Sequence, residues 1–398
     1  MPPENGPISW QPGTLEPTAN PYAWSRITNM LWVEYPVGVG FTTGNINITA
    51  LDKGDISQDF VDFYKNWVGC RRLLNAVATT DQSYAGRYVP YVAAEMLNQN
   101  DTTYFDVGGA LVVDGTIGSF VQVQESIPAY RFANANNLIL NLNDTFLESL
   151  EALSVKCGYE DYMDRYLQFP PPGLQPGFTN DDPQADCDTF SEFLINIQIV
   201  NPCFSVYDIT RACPILNDPL ARNIGNVPTA HFNRTDVRHA IHAPRNFRHP
   251  GLPRPPRGYN RVWFECGSLA LNPFVGPYDG EGPEAQNDRS PDPIQGALPQ
   301  VIEATNRVLI AYGNLDAIII TNGTLLAIQN MTWGGELGFQ TAPSQDFVVP
   351  GQGVMGRQHS ERGLLWVESN ATTHMGPASQ PQAALRQLEW LVGRIDEL

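Results

Sequence analysis

The residues best suited to chemistry lie in the segment Asp81-Gln82-Ser83-Tyr84-Ala85-Gly86. A serine at the junction of a strand and a helix can sit on a sharp turn that exposes its hydroxyl. The backbone N–H of the next residue, Tyr84, can then stabilise an oxyanion. Small residues after the serine let the helix pack close to the strand. This pattern indicates nucleophilic catalysis by Ser83, although so short a motif also arises by chance.

A serine nucleophile needs a base and an acid that orients the base. Asp316 follows a predicted strand at Arg307–Tyr312, and His374 lies between a predicted strand at Gly363–Glu368 and the final helix. Ser, Asp, His is the chain order of α/β-hydrolases, whose acid and base lie on loops at strand ends. By position alone, Asp316 could equally be a turn-forming acid and His374 a surface histidine. The three residues in this order favour a catalytic triad.

The elements that must position these residues form an α/β pattern. Apolar spacing predicts helices at Ile56–Trp67 and Ser83–Asn98, and a last helix from about Pro381. Short apolar runs predict further strands at Met30–Tyr35 and Ala110–Val113. Buried strands that alternate with helices indicate a layered α/β fold with a mainly parallel sheet. Residues 120–256 are rich in Pro, Asp and Asn and are expected to form an irregular cap over one sheet edge.

Composition excludes several classes of protein. The 398 residues are 42% hydrophobic, enough for a sizeable core. The 42 Asp and Glu outnumber the 24 Lys and Arg, so the net charge is −18. This charge disfavours a nucleic-acid or anionic-membrane partner, because phosphate binding needs a basic face. The most apolar stretch, Val308–Ile328, contains Asp316 and two Asn, which argues against a transmembrane helix.

The cysteines and glycosylation sequons point to an oxidising compartment. None of the six Cys forms the C-x-x-C spacing of a zinc or redox site. Four of them cluster in the expected cap, where they are either disulfide-bonded, as in a secreted protein, or ordinary buried thiols. Because the start of the chain has no signal-peptide pattern, we expect an N-terminally incomplete copy. The N-x-[ST] sequons, more numerous than chance predicts, are at Asn47, Asn100, Asn143, Asn233, Asn322, Asn330 and Asn370.

Four blocks together resemble the serine carboxypeptidase family in its fungal form. Asn20–Trp24 followed by Trp32–Phe41 is similar to the family's first signature. Ser83-Tyr84-Ala85-Gly86-Arg87-Tyr88-Val89-Pro90 resembles its nucleophile signature. Tyr312–Asp316 and His374–Pro377 resemble the blocks that hold the triad Asp and His. The blocks occur in the family's order and span nearly the whole chain.

The resemblance implies a single α/β-hydrolase domain over residues 1–398, with a disulfide-stapled cap insertion at about 120–256. It implies a serine-type carboxypeptidase that releases C-terminal amino acids from peptides through an acyl-enzyme on Ser83. His374 would be the general base and then acid, Asp316 would fix the imidazole tautomer, and Tyr84 would supply an oxyanion N–H. The resemblance implies no cofactor and no metal, peptide or protein C-termini as substrate, and a secreted or vacuolar location.

Three departures from the family pattern matter. The chain lacks the Gly-Gly motif that supplies half of the family's oxyanion hole. Asp81 replaces the glycine of the elbow, and Gln82 replaces the glutamate beside the serine. In the family that glutamate and the one resembled by Glu4 bind the substrate carboxylate together. The alternatives are an acyltransferase on the same scaffold, or a catalytically impaired relative.

The resemblance also yields expectations for the cysteines. Cys203 is expected to pair with Cys213 and Cys157 with Cys187, both pairs in the cap. Cys266 resembles the family cysteine whose partner lies in the missing motif, so Cys266 and Cys70 are expected to be free thiols.

Overall fold

The computed structural model describes residues 2–11, 13–14, 16–36, 41–42, 53–71, 77–119, 124–176, 184–216, 234–243 and 290–398. The chain divides into two compact units. The first consists of Met1–Trp67 and Ile215–Ser290, and the second of Val68–Pro214 and Pro291–Leu398. The sequence-based expectation of one domain with a cap at 120–256 stays a prediction.

Strands and helices alternate along the described chain. The strands are β1 Ile8–Ser9, β2 Thr18–Ala19, β3 Val77–Gln82, β4 Val107–Val113, β5 Val308–Gly313, β6 Thr332–Trp333, β7 Glu336–Leu337, β8 Gln345–Val349, β9 Gly353–Glu361 and β10 Leu364–Ser369. The α-helices are α1 Pro2–Asn5, α2 Lys53–Arg71, α3 Ala85–Asn98, α4 Ala129–Ala135, α5 Asn137–Leu140, α6 Asp144–Lys156, α7 Tyr159–Tyr166, α8 Thr189–Val200, α9 Thr235–Ala240, α10 Ala297–Thr305, α11 Thr321–Gln329, α12 Gly376–Ser379 and α13 Pro381–Leu391.

A six-stranded sheet organises the second unit, in the order β3-β4-β5-β10-β9-β8. The strands β3, β4, β5 and β10 are parallel to one another, whereas β9 runs antiparallel to β10 and β8 antiparallel to β9. All residues of β5 are buried, which explains why its sequence is continuously apolar rather than alternating. The expected mainly parallel sheet is thus present, extended by an antiparallel hairpin that the sequence did not reveal.

The parallel strands deliver their carboxyl ends to one edge of the sheet. Gln82 at the end of β3 pairs with Val113 of β4, and Gly313 of β5 pairs with Ser369 of β10. Ser83, Asp316 and His374 each follow one of these strands. The register therefore brings three chain segments that are far apart in sequence to the same side of the sheet.

The apolar residues of the second unit form two clusters. One packs α3, α10 and α11 against the sheet and contains Trp333 and Trp366. The other joins α4, α6 and α8 to the segment after β5 through Phe193, Ile209 and Leu315. The second cluster thereby ties the expected cap region to the loop that carries Asp316.

Two sequence-based expectations about elements were wrong. Much of the expected irregular cap is helical, because its polar residues cap short helices: Asn143 accepts a hydrogen bond from Phe146 N, and Asp188 accepts one from Ser191 N. Met30–Tyr35 is not assigned as a strand. Among the described residues no neighbouring segment pairs with it, so it is not part of a sheet.

No helix in the described part of the chain combines the length and apolar character needed to cross a membrane.

Close packing of α3 on the segment after β4 generates a stability prediction. A Cβ on Gly86 would lie 2.5 Å from Thr116 N and 2.6 Å from the Gly115 carbonyl carbon. Because backbone atoms cannot yield as a flexible side chain does, Gly86→Ala should lower the free energy of unfolding by about 2 kcal/mol or more.

Gly69→Ala is the matched control. Gly69 is exposed in α2, and a Cβ added there would meet no described atom within 4 Å. Alanine at this helical position should raise the free energy of unfolding by about 0.5–1 kcal/mol. Urea unfolding midpoints measure both, and equal effects would contradict the packing argument.

Candidate active site

Ser83 occupies a strained turn between β3 and α3. Its φ is +63°, a left-handed conformation that costs a non-glycine residue about 1–2 kcal/mol. The turn is held from both sides, since Ser83 N donates to Val113 O at 3.1 Å and Ser83 O accepts from Thr116 N at 3.1 Å. A serine kept in this conformation has the backbone geometry of a nucleophile elbow.

Tyr84 is the N-cap residue of α3. The N-terminus of a helix is the positive end of the helix dipole, which favours a nearby negative charge. The Tyr84 N–H is therefore suited to an oxyanion, the role expected from the sequence. That role stays a prediction.

Asp81 stands where the resembled family has the elbow glycine, and its surroundings raise the pKa of its carboxyl through desolvation. Asp81 is exposed, and its Oδ1 accepts from Gln82 N at 2.8 Å.

Asp316 and His374 form a buried acid–base pair. Asp316 Oδ2 lies 2.7 Å from His374 Nδ1, and the two residues are 0% and 3% exposed. The other carboxylate oxygen of Asp316 accepts from Ile318 N at 2.9 Å and from Ile319 N at 3.4 Å. A carboxylate bonded in this way holds the imidazole in one tautomer and orientation.

Burial raises the pKa of the Asp316 carboxyl, while the neighbouring His374 and the two backbone N–H donors oppose that rise. The hydrogen bonds thus reduce the cost of placing a charged group where water cannot reach it.

The expected nucleophile is joined to the expected base less directly than the acid is. No hydrogen bond joins Ser83 Oγ to the His374 ring among the contacts of the described residues, so the catalytic assignment of the three residues stays a prediction. Apo geometry of this kind is common, because catalytic hydrogen bonds often tighten only when substrate binds. The elbow and the histidine loop do touch, through the residue next to the nucleophile. Gln82 Nε2 donates to His374 O at 2.5 Å and lies 3.1 Å from Met375 Sδ.

Gln82 and Glu4 were expected to bind the substrate carboxylate. In this structure the Gln82 amide nitrogen is turned toward the histidine loop. Glu4 lies in α1 of the first unit and is buried. For both residues the carboxylate-binding role stays a prediction.

Asp114 is a site residue that the sequence reasoning missed. It is fully buried directly after β4, and its Oδ1 accepts from Gly313 N at 2.7 Å. Asp114, Asp316 and His374 each offer an atom within 4.8 Å of the others'. They are the group of described side chains that could approach a metal ion, but two of the three, Asp316 and His374, are already hydrogen-bonded to each other. A charged residue right after a buried strand was the available signal.

Tyr207 was also missed. Its ring centroid lies 5.0 Å from that of His374, and its carbonyl oxygen accepts from His374 N at 3.0 Å. No sequence motif marks a position that lies 167 residues before the histidine it contacts.

The described cysteines form the two expected pairs. Cys157 bonds to Cys187, and Cys203 bonds to Cys213. Cys266 lies outside the described residues, and the side chain of Cys70 is not described.

The described sequons differ in exposure. Asn100, Asn143 and Asn370 are exposed, whereas Asn322 and Asn330 are partly buried. Asn330 Oδ1 also accepts from Gln175 N at 2.8 Å. Asn47 and Asn233 lie outside the described residues. Glycosylation stays a prediction, and exposure favours the first three positions.

Known proteins match this chain along almost its whole length. The serine carboxypeptidase family profile covers residues 1–394. The chain is 44% identical to serine-type carboxypeptidase F of Aspergillus niger, over 99% of this chain and 75% of that protein. It is 39% identical to a carboxypeptidase Y homolog of Arthroderma benhamiae, over 99% of this chain and 74% of that protein.

A solved structure shows the same fold. The crystal structure of Kex1Δp, a prohormone-processing carboxypeptidase from Saccharomyces cerevisiae, matches with a TM-score of 0.67 at 18% identity. The match covers 98% of this chain and 79% of that one. The expected α/β-hydrolase fold is confirmed.

The contact between Gln82 and the histidine loop generates a pH prediction. The two groups that face the Gln82 amide nitrogen, His374 O and Met375 Sδ, are both acceptors, so a carboxyl in its place could bond to them only when protonated. The pKa of a Glu carboxyl is ordinarily about 4.3, and acceptors that face the carboxyl favour its neutral form and raise that pKa. In Gln82→Glu, kcat/KM should therefore fall about tenfold from pH 5 to pH 7, relative to the unmodified protein.

Gln82→Met is the control, because it removes the same hydrogen bond without adding a titrating group. Its kcat/KM should be lower than that of the unmodified protein by a factor that does not change with pH. Profiles of Gln82→Glu and the unmodified protein that overlap across this range would refute the argument.

Proposed function

This chain belongs to the serine carboxypeptidase family, and we propose that Ser83, His374 and Asp316 carry out its hydrolysis of C-terminal peptide bonds. The observation that supports the assignment most directly is the buried 2.7 Å contact between His374 and Asp316, beside the sheet edge where Ser83 forms its strained turn.

The first half of the reaction is acyl transfer to Ser83. Ser83 Oγ attacks the carbonyl carbon of the last peptide bond while His374 Nε2 takes the hydroxyl proton. Asp316 stabilises the imidazolium that forms, and the Tyr84 N–H contributes to stabilising the oxyanion. The C–N bond then breaks, His374 passes its proton to the leaving amine, and the C-terminal amino acid departs.

The second half returns the enzyme to its starting state. Water attacks the ester carbonyl of the acyl-enzyme while His374 takes one of its protons. The bond between carbon and Ser83 Oγ breaks, and the same proton returns to Oγ. The shortened peptide leaves with a new terminal carboxylate.

We propose that Gln82 takes part in recognition of the substrate's C-terminus, as the family resemblance implies. Gln82 provides an amide rather than a carboxylate, and therefore no negative charge opposes the substrate at that residue.

We further propose that the protein follows a secretory route to the vacuole or the cell exterior. The disulfides Cys157–Cys187 and Cys203–Cys213 are stable in oxidising compartments and rare in the cytosol. The exposed sequons at Asn100, Asn143 and Asn370 agree with that route.

Replacement of the nucleophile tests the proposal. Ser83→Ala should abolish labelling by a fluorophosphonate probe and lower kcat on an N-blocked dipeptide by about 10³-fold or more, because it removes the oxygen that forms the acyl-enzyme. Ser360→Ala, an exposed serine of β9, is the matched control and should label normally. Persistent labelling of Ser83→Ala would show that the elbow assignment is wrong.

A further inference from the structure

The loop closed by the Cys203–Cys213 disulfide, which we call the clamp loop (residues 203–213), lies against both the acid and the base of the site. Val206 O accepts from Ala317 N at 2.8 Å and from Ile318 N at 3.2 Å. Ile209 N donates to Leu315 O at 3.2 Å. These backbone hydrogen bonds hold the residues on either side of Asp316.

The same loop holds the histidine. Tyr207 O accepts from His374 N at 3.0 Å, and the Tyr207 ring lies 5.0 Å from the imidazole, centroid to centroid. Asp316 follows β5 and His374 follows β10, and the two segments are also bonded directly, since Leu315 N donates to Thr372 O at 2.9 Å. The clamp loop is hydrogen-bonded to both segments through three residues that lie within one four-residue stretch, Val206, Tyr207 and Ile209.

We propose that the clamp loop is a positioning element for the reaction, which sets the relative placement of Asp316 and His374. The proposal rests on the proposed function of that pair. It goes beyond it by assigning a role in turnover to the Cys203–Cys213 disulfide, which touches neither residue.

Apolar packing gives the loop the rigidity that positioning requires. Ile209 is buried in one cluster with Leu315, Ala317 and Ile320, the residues around the acid. Phe204 and Val206 of the loop pack against the same cluster. A shift of the loop would therefore move the Asp316 segment with it, because close-packed side chains transmit displacement.

The loop is also shaped from within. Asp208 Oδ1 accepts from Thr210 N at 3.0 Å and from Thr210 Oγ1 at 2.6 Å, and Tyr207 N donates to Ser205 Oγ at 3.3 Å. Asn201 Nδ2 donates to Arg211 O at 2.7 Å and bridges the two ends. The disulfide completes this closure. Without it, the hydrogen bonds of the loop and the packing of Ile209 must keep the carbonyls of Val206 and Tyr207 in place.

Comparison of the two disulfides tests the proposal on the full chain. Removal of Cys203–Cys213 by Cys203→Ser with Cys213→Ser should lower kcat on the N-blocked dipeptide by about tenfold or more, since small misplacements of catalytic groups cost rate steeply. The rate of labelling by a small fluorophosphonate should fall in parallel, because that reagent does not depend on peptide binding.

Removal of Cys157–Cys187 by Cys157→Ser with Cys187→Ser is the control. Its cysteines are 30 residues apart, against 10 for the clamp loop, so the chain-entropy argument predicts the larger fall in Tm for the control. Its kcat, measured well below both Tm values, should stay within about twofold of the unmodified protein. The Cys157–Cys187 variant should therefore have the lower Tm but the higher kcat of the two.

A second pair of variants leaves both disulfides intact, in case a serine variant does not fold. Ile209→Ala and Ile197→Ala truncate the same residue type at similarly buried positions of one cluster, but only Ile209 belongs to the clamp loop. Ile209→Ala should lower kcat at least about fivefold more than Ile197→Ala at a comparable loss of Tm.

Equal kcat values within each pair, or losses that follow Tm alone, would overturn the proposal. The outcome is separable from that of the proposed function. If Ser83→Ala keeps its activity, the triad assignment fails whatever the clamp-loop variants do. If Ser83→Ala is inactive while the paired variants turn over equally, only the clamp-loop proposal fails.

Discussion

The site depends on one hydrogen bond buried beyond the reach of water, between the carboxylate of Asp316 and the imidazole of His374. A buried carboxylate is costly unless every lone pair that water would have bonded finds a donor. Here the imidazole and the amides of Ile318 and Ile319 supply those donors. Since the two partners follow different strands, the bond exists only if the surrounding structure holds both segments still.

The parallel sheet supplies the first part of that support. The pairing of Gly313 with Ser369 sets where the segments after β5 and β10 leave the sheet. The buried carboxylate of Asp114, at the end of the neighbouring β4, accepts from Gly313 N and fixes the start of the acid's turn. On the other side of β4, Ser83 is held in a left-handed conformation by its bonds to Val113 and Thr116. Strain at this residue persists because neighbouring backbone leaves it no relaxed alternative.

The second part of the support comes from a region that contains none of the three expected catalytic residues. The helices between α4 and α8 bury a cluster of aromatic and aliphatic side chains that also contains Leu315 and Ala317. The clamp loop extends that cluster to the histidine through the carbonyl of Tyr207. A segment that by composition resembles a surface excursion thus becomes part of the framework of the site. The reason is that Asn and Asp, which suggest loops in isolation, here begin helices as N-caps.

Local sequence by itself determined the strands and the helix that carry the candidate chemistry. β5 is a run of buried apolar residues, Ser83 lies between a strand and a helix, and Asp316 and His374 follow strands in hydrolase order. These properties lie within a few neighbouring residues, and periodicity or a motif therefore reveals them. Only the tertiary structure decided that Gln82 bonds to the histidine loop 292 residues away, that Asp114 joins the acid–base pair, and that Tyr207 lies against the imidazole. Such contacts arise from strand register and from packing between distant segments, for which no single stretch of the chain carries a pattern.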